Sequence, residues 1–177
     1  GPTFAARFLD KRIWMMLMSK EHDFTATLRW TGNQGSGTSH YKAYTRDWTL
    51  QSDGKPAIAC SNDPLLGGNS ALYNPEDMLI AALSSCHMLW FLHLASDAGI
   101  IVHSYEDNPV GTGESLPDGT GRFIRADLRP KIGLAPGSDT TLADEVHGRI
   151  HNHCFIARSV NFPISITATY FDVTNSD

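Results

Sequence analysis

From Phe24 to Trp30, apolar residues (Phe24, Ala26, Leu28, Trp30) alternate with polar ones. That two-residue period predicts a half-buried strand. Tyr41–Leu50 repeats the pattern, and Ala57–Cys60 starts a third short strand. Glycines between Gly32 and Gly37, and the turn Ser52-Asp53-Gly54-Lys55-Pro56, separate the three. Residues 61–75 carry Asp63-Pro64, Gly67-Gly68 and Asn74-Pro75, and read as loop.

At Pro75 the period changes. Met78, Leu79, Ala82, Leu83, Cys86, Leu89, Trp90, Phe91, Leu94 and Ala95 predict a long helix that ends near Gly99. Pro75 suits the first helical turn, and Glu76 and Asp77 favour the positive end of the dipole. Apolar residues on most faces predict a helix buried nearly all round. Strands follow at Val102–Tyr105, Gly111–Glu114 and Phe123–Ile132. A second helix, capped by Ser138 or Asp139, runs from Thr140 to about His153, and Phe162–Val173 closes as a strand. Runs of strands separated by helices predict an α+β fold with antiparallel sheets.

The 177 residues suit one domain, and 41% hydrophobic with 19% charged residues supports an ordinary core. The net charge of −5, with no basic run, gives nucleic acid or an anionic membrane surface no electrostatic support. No uninterrupted apolar stretch reaches the roughly 18 residues of a membrane span. Residues 1–17 read as an extension outside the fold or a vector-derived segment. Gly1-Pro2 looks like a processing scar, and Met18 is a plausible start. Residues 18–177 form the expected single domain.

Three cysteines, an odd number, fit a reducing cytoplasm better than a structural disulfide framework. Cys86 sits in mid-helix, where the dipole has faded. A thiolate there needs a cation from elsewhere. Arg46, on the second predicted strand, is the candidate by sequence context. Cys154 follows the second helix, and two packed helices could bring the two sulfurs within disulfide reach. A zinc reading of Cys86, His87, His151, His153 and Cys154 matches no common ligand spacing, and His93 returns to the face of Cys86. Cys60 reads as a buried bystander.

The run Asn74-Pro75-Glu76-Asp77-Met78-Leu79-Ile80-Ala81-Ala82-Leu83-Ser84-Ser85-Cys86 resembles the signature of the OsmC/Ohr family of organic hydroperoxide reductases. Leu66-Gly67-Gly68 upstream and His151–Ser159 downstream extend the resemblance over roughly residues 22–173. It implies an intertwined homodimer, with two long helices per subunit packed against curved sheets. It also implies an antioxidant, stress-response peroxidase without a cofactor or metal. Cys86 would attack the hydroperoxide and Cys154 would resolve the sulfenic acid to a disulfide, which an external dithiol resets. Arg46 would be the catalytic arginine and Glu76 the carboxylate that holds it, with Thr45-Arg46-Asp47-Trp48 standing where the family often has Gly-Arg-Asp-Gly. Leu83, Leu89, Trp90 and Phe91 around Cys86 would favour an alkyl-bearing peroxide. The alternatives are a non-catalytic ligand-binding dimer and a metal-binding one.

Overall fold

A computed structural model describes residues 21–174. It has two units, one ending at Leu79 and one beginning at Ile80, and its helices and sheets make it α+β.

In the first unit β1 (Thr27–Trp30), β2 (Trp48–Gln51) and β3 (Ile58–Cys60) form an antiparallel sheet in that order. Leu28 stands opposite Leu50, and Trp48 stands between Trp30 and Cys60. The second strand is shorter than its pattern predicts. Residues 41–43 turn instead, with the Ala43 N–H on the His40 carbonyl, and beyond them only an isolated antiparallel bridge, Tyr44 to Asn33, precedes β2. Arg46 is therefore a loop residue, not a strand residue.

Helix α1 (Pro75–Asp97) has the predicted bounds for a visible reason. Asn74 Oδ1 accepts the Asp77 N–H at 2.8 Å, and Asp77 Oδ2 accepts the Asn74 N–H at 3.3 Å, a reciprocal capping box with Pro75 in the first turn. At the other end Gly99 adopts φ +78°, the Ile100 N–H reaches the Ala95 carbonyl, and the Gly99 N–H reaches that of Ser96. This is a Schellman stop.

The second unit has β4 (Val102–Glu106), β5 (Val110–Ser115), β6 (Gly121–Leu128), β7 (Lys131–Leu134), α2 (Thr140–Arg149), β8 (Ile164–Ile166) and β9 (Thr169–Asp172). They build two three-stranded sheets, β4-β7-β9 and β5-β6-β8. Two predicted strands are each split in two. Pro130 cannot donate to a ladder and breaks Phe123–Ile132 into β6 and β7. Thr167 and Thr169 then send their N–H groups to the Leu128 and Pro130 carbonyls, so the last strand follows the same break as β8 and β9. These two pairings are parallel, so the sheets are mixed rather than purely antiparallel. Helix α2 ends at Arg149, and a 3₁₀ turn, Ile150–Asn152, carries the chain to Cys154.

The core lies here. Leu83, Phe91, Leu94 and Ala95 of α1 meet Ala143 and Val146 of α2, with Leu128 of β6 and Ile132 and Leu134 of β7. Each such large side chain contributes roughly 1.5–3 kcal/mol by leaving water. Gly111 of β5 lets the helix press close, since a Cβ there would stand 2.4 Å from Ile80 Cδ1. Helix α1 is not buried all round. Ile80, Leu83, Ser84, His87, Phe91, Leu94 and Ala95 form its buried stripe, whereas Ala81, Ser85, Leu89, Leu92 and Ser96 are exposed along another face. By length and composition alone α1 could cross a membrane, with mean hydropathy 1.6 over 18 residues. Its buried stripe in this unit is that of a core helix.

Candidate functional site

Cys86 and Cys154 come together. Cys86, half-buried on α1, packs against the core cluster that contains Cys154, and both are free thiols. Cys154 is fully buried. Burial pushes its thiol up to about 11, and the Cys86 side chain, acting on it by hydrogen bond and by charge, pushes the same way. The backbone opposes this. The Ala157 N–H donates to Cys154 Sγ at 3.3 Å, and Ile156 adds a second backbone interaction. The Cys154 N–H itself bonds the Ile150 carbonyl, which fixes the cysteine just beyond α2.

Arg46 sits in the first unit inside an aromatic clamp. Its guanidinium carbon lies 3.9 Å from the centre of the Tyr41 ring and 4.1 Å from that of Tyr44. Its Nη2 donates to the Tyr41 carbonyl and its Nη1 to the Tyr44 carbonyl, both at 2.8 Å. Gly67, at φ +81°, completes the wall, for a Cβ there would stand 3.5 Å from Arg46 Nε. The Tyr41 hydroxyl donates to the neighbouring Leu66 carbonyl. The Leu66-Gly67-Gly68 motif is thus a backbone seat for the arginine loop. Among the described residues Arg46 makes no ion pair with a carboxylate. Glu76 is exposed at the start of α1, and Asp47 accepts the Ser61 hydroxyl instead.

The histidines separate into distinct settings. His87 points away from Cys86 into the core, where its Nε2 meets His147 Nδ1 at 2.8 Å. Burial lowers both to about 4, with Asp107 opposing the shift at His87, and with His87 adding to it and Asp144 opposing it at His147. A neutral pair suits this contact, one ring donating and the other accepting. Ser84 donates to Asp107 Oδ2 at 2.6 Å, and the Arg129 N–H caps its other oxygen. Sequence reading missed this network. Its trace was the helical spacing Leu83, His87, Phe91, which places His87 on the core stripe. His93 packs edge-on against Trp90, and His153 stacks on the same indole at 4.8 Å. His151 is exposed on the turn before Cys154.

Of the four apolar residues expected around Cys86, Leu83 and Phe91 are ordinary core, while Leu89 is exposed and Trp90 half-buried. Only the last two reach the surface. Among the described residues no group of three or more His, Cys, Asp or Glu could hold a metal ion. Cys60 is fully buried, with its thiol raised by desolvation. The expected boundary at residue 17 lies outside the described residues.

A family model described as OsmC-like protein matches residues 67–169. No curated protein matches the chain. Among solved structures, an OsmC-like protein of unknown function from Vibrio cholerae is 29% identical, with a TM-score of 0.75 over 84% of this chain and 100% of that one. An organic hydroperoxide resistance protein, OsmC, from Legionella pneumophila is 15% identical, with a TM-score of 0.61 over 85% and 98%. An organic hydroperoxide resistance protein from Elizabethkingia anophelis, with thiocyanate bound, is 18% identical, with a TM-score of 0.61 over 87% and 100%. The last two are similar in fold.

Proposed function

Because this chain belongs to the OsmC-like protein family, we propose that it is a thiol-dependent peroxidase that reduces organic hydroperoxides. The observation that carries this reading is the packing of Cys86 against the core cluster that holds Cys154, with the Cys86 side chain helping to raise the Cys154 thiol. Related folds named for organic hydroperoxide resistance support the substrate class.

The Cys86 thiolate attacks the terminal peroxide oxygen, and the O–O bond breaks. Cys86 becomes a sulfenic acid, and the alkoxide leaves and is protonated to an alcohol. The Cys154 thiol then attacks the sulfenic sulfur, forming the disulfide and releasing water. An external dithiol returns both cysteines to thiols, which suits a reducing cytoplasm. Arg46 supplies the positive charge, held ready by Tyr41 and Tyr44, and Glu76 pairs with it once two copies assemble. Leu89 and Trp90 face the alkyl group.

A homodimer is part of the proposal. Leu89 and Leu92 share the exposed face of α1 with the small residues Ala81, Ser85 and Ser96. Leu28, Trp30 and Ile58 of the first sheet are exposed as well. A second copy of the chain, presenting the same apolar surfaces, is the occupant that buries both.

The test is steady-state reduction of tert-butyl hydroperoxide with a dithiol reductant. Wild type is expected to exceed Cys86→Ser by at least about 100-fold, since the nucleophile is lost. Equal rates would sink the peroxidase reading. Arg46→Gln should lower kcat/KM for the hydroperoxide, and circular dichroism separates that loss from a loosening of the Tyr41–Tyr44 clamp that Arg46 holds.

A further inference from the structure

We infer that the reductant attacks the Cys86–Cys154 disulfide only at the Cys86 sulfur, and that Cys154 is always the leaving thiolate. This rests on the disulfide cycle proposed above.

Thiol–disulfide exchange is an in-line displacement, in which the incoming sulfur approaches opposite the leaving one. Attack on Cys154 would therefore need open space on the far side of its sulfur. There is none. Cys154 is fully buried in the core cluster, alongside Ile150 and Ala157. Its sulfur also already accepts the Ala157 N–H at 3.3 Å. Cys86 is half-buried and belongs to the outer layer packed on that core.

The electron count follows one course. The reductant's thiolate forms a bond to Cys86 Sγ, the Cys86–Cys154 bond breaks, and its electron pair stays on Cys154. Burial makes that thiolate costly, and the Ala157 N–H offsets part of the cost by donating to it. It then takes up a proton. The second thiol of a dithiol reductant attacks the reductant's own sulfur in the mixed disulfide. That step releases the Cys86 thiolate and leaves the reductant oxidised to its disulfide.

The experiment starts from the disulfide made with diamide, which needs no peroxide chemistry. A short pulse of 2-mercaptoethanol, quenched with N-ethylmaleimide, is followed by peptide mapping. The expected product carries mercaptoethanol on Cys86 and maleimide on Cys154, at least about tenfold over the reverse, as buried sulfurs are protected from exchange. Equal or reversed labelling overturns the inference. In a second measurement, Ellman's reagent should label Cys86 in Cys154→Ser at least tenfold faster than Cys154 in Cys86→Ser, and urea should abolish the difference. Equal rates in the folded variants overturn it as well. If diamide forms no disulfide, the inference falls with the resolving step. If diamide forms it and hydroperoxide does not, only the peroxidase reading falls.

Discussion

Every residue of the hydrophobic core lies at or beyond Ile80. Before that point Cys60 is the one buried hydrophobic side chain among the described residues, and β1 is exposed along its whole length. Leu28, at 66% exposure, stands on that strand, whereas Phe91 of α1 is fully buried. The first unit is held by backbone ladders and by polar and cation–π contacts around Arg46. The second is held by packing. A small sheet without a covered face is marginal in water, so a first unit that is folded in solution implies a surface that covers it. The proposed second copy is that surface.

The largest effect tests this contrast directly. Phe91→Ala leaves a cavity among α1, α2 and the sheets, and should cost about 3–5 kcal/mol in urea unfolding. Leu28→Ala, in a single chain, removes no buried contact and should cost under about 0.5 kcal/mol. If Leu28→Ala costs as much as a core truncation at high protein concentration and nothing when dilute, an assembled partner buries it. If it costs as much at every concentration, the contrast between the units is wrong.

Acid should strike the packed unit through its buried histidine pair. His87 and His147 titrate near 4 when folded and near 6.5 when unfolded. As pH falls from 6.5 toward 4 the unfolded chain takes up protons first, so stability drops across that window and is flat above it. With two histidines the loss amounts to a few kcal/mol. Urea midpoints at pH 7.5 and pH 5 report it, and identical midpoints would show that the pair is not buried neutral. Replacing both by leucine should flatten the dependence.

The packed unit was also the more legible of the two in sequence, for the same physical reason. A helix that inserts one stripe into a core declares itself by period, so the bounds of α1 and the place of Cys86 followed from Pro75, Glu76, Asp77 and Gly99. The Pro130 break was also written plainly, but the alternation of apolar and polar residues from Phe123 to Ile132 outweighed it. The setting of Arg46 was not legible. Tyr41 and Tyr44 read as strand residues by alternation, yet their rings clamp a guanidinium, and nothing in period or propensity records a cation–π contact. The exposed face of α1 was equally hidden, because a sequence does not distinguish burial within one chain from burial between two.

That face gives the next effect. Leu89 is 61% exposed on α1. Leu89→Glu should leave the circular dichroism spectrum of the chain intact and weaken self-association at least about tenfold, because a carboxylate would have to be desolvated at an apolar contact. Sedimentation equilibrium reads the change. An unaltered association constant would move the partner surface elsewhere.

The smallest effect asks where the two units divide in energy. Helix α1 begins at Pro75 in the first unit and continues from Ile80 in the second. Its capping box, Asn74 with Asp77, lies wholly in the first. Asn74→Ala removes the side-chain acceptor for the Asp77 N–H, a loss worth about 1 kcal/mol when the helix end unfolds together with the rest. If the first turn belongs energetically to the packed unit, that full cost should appear in the urea midpoint. If it belongs to the exposed unit, the turn should fray without moving the midpoint, and amide exchange at Asp77 and Met78 should accelerate several-fold. We expect the full cost, because Ile80, one turn beyond the cap, is already clamped against Gly111 and Phe123. Fast exchange with an unmoved midpoint would shift the energetic boundary past Ile80 and detach Glu76 from the rigid part of the helix.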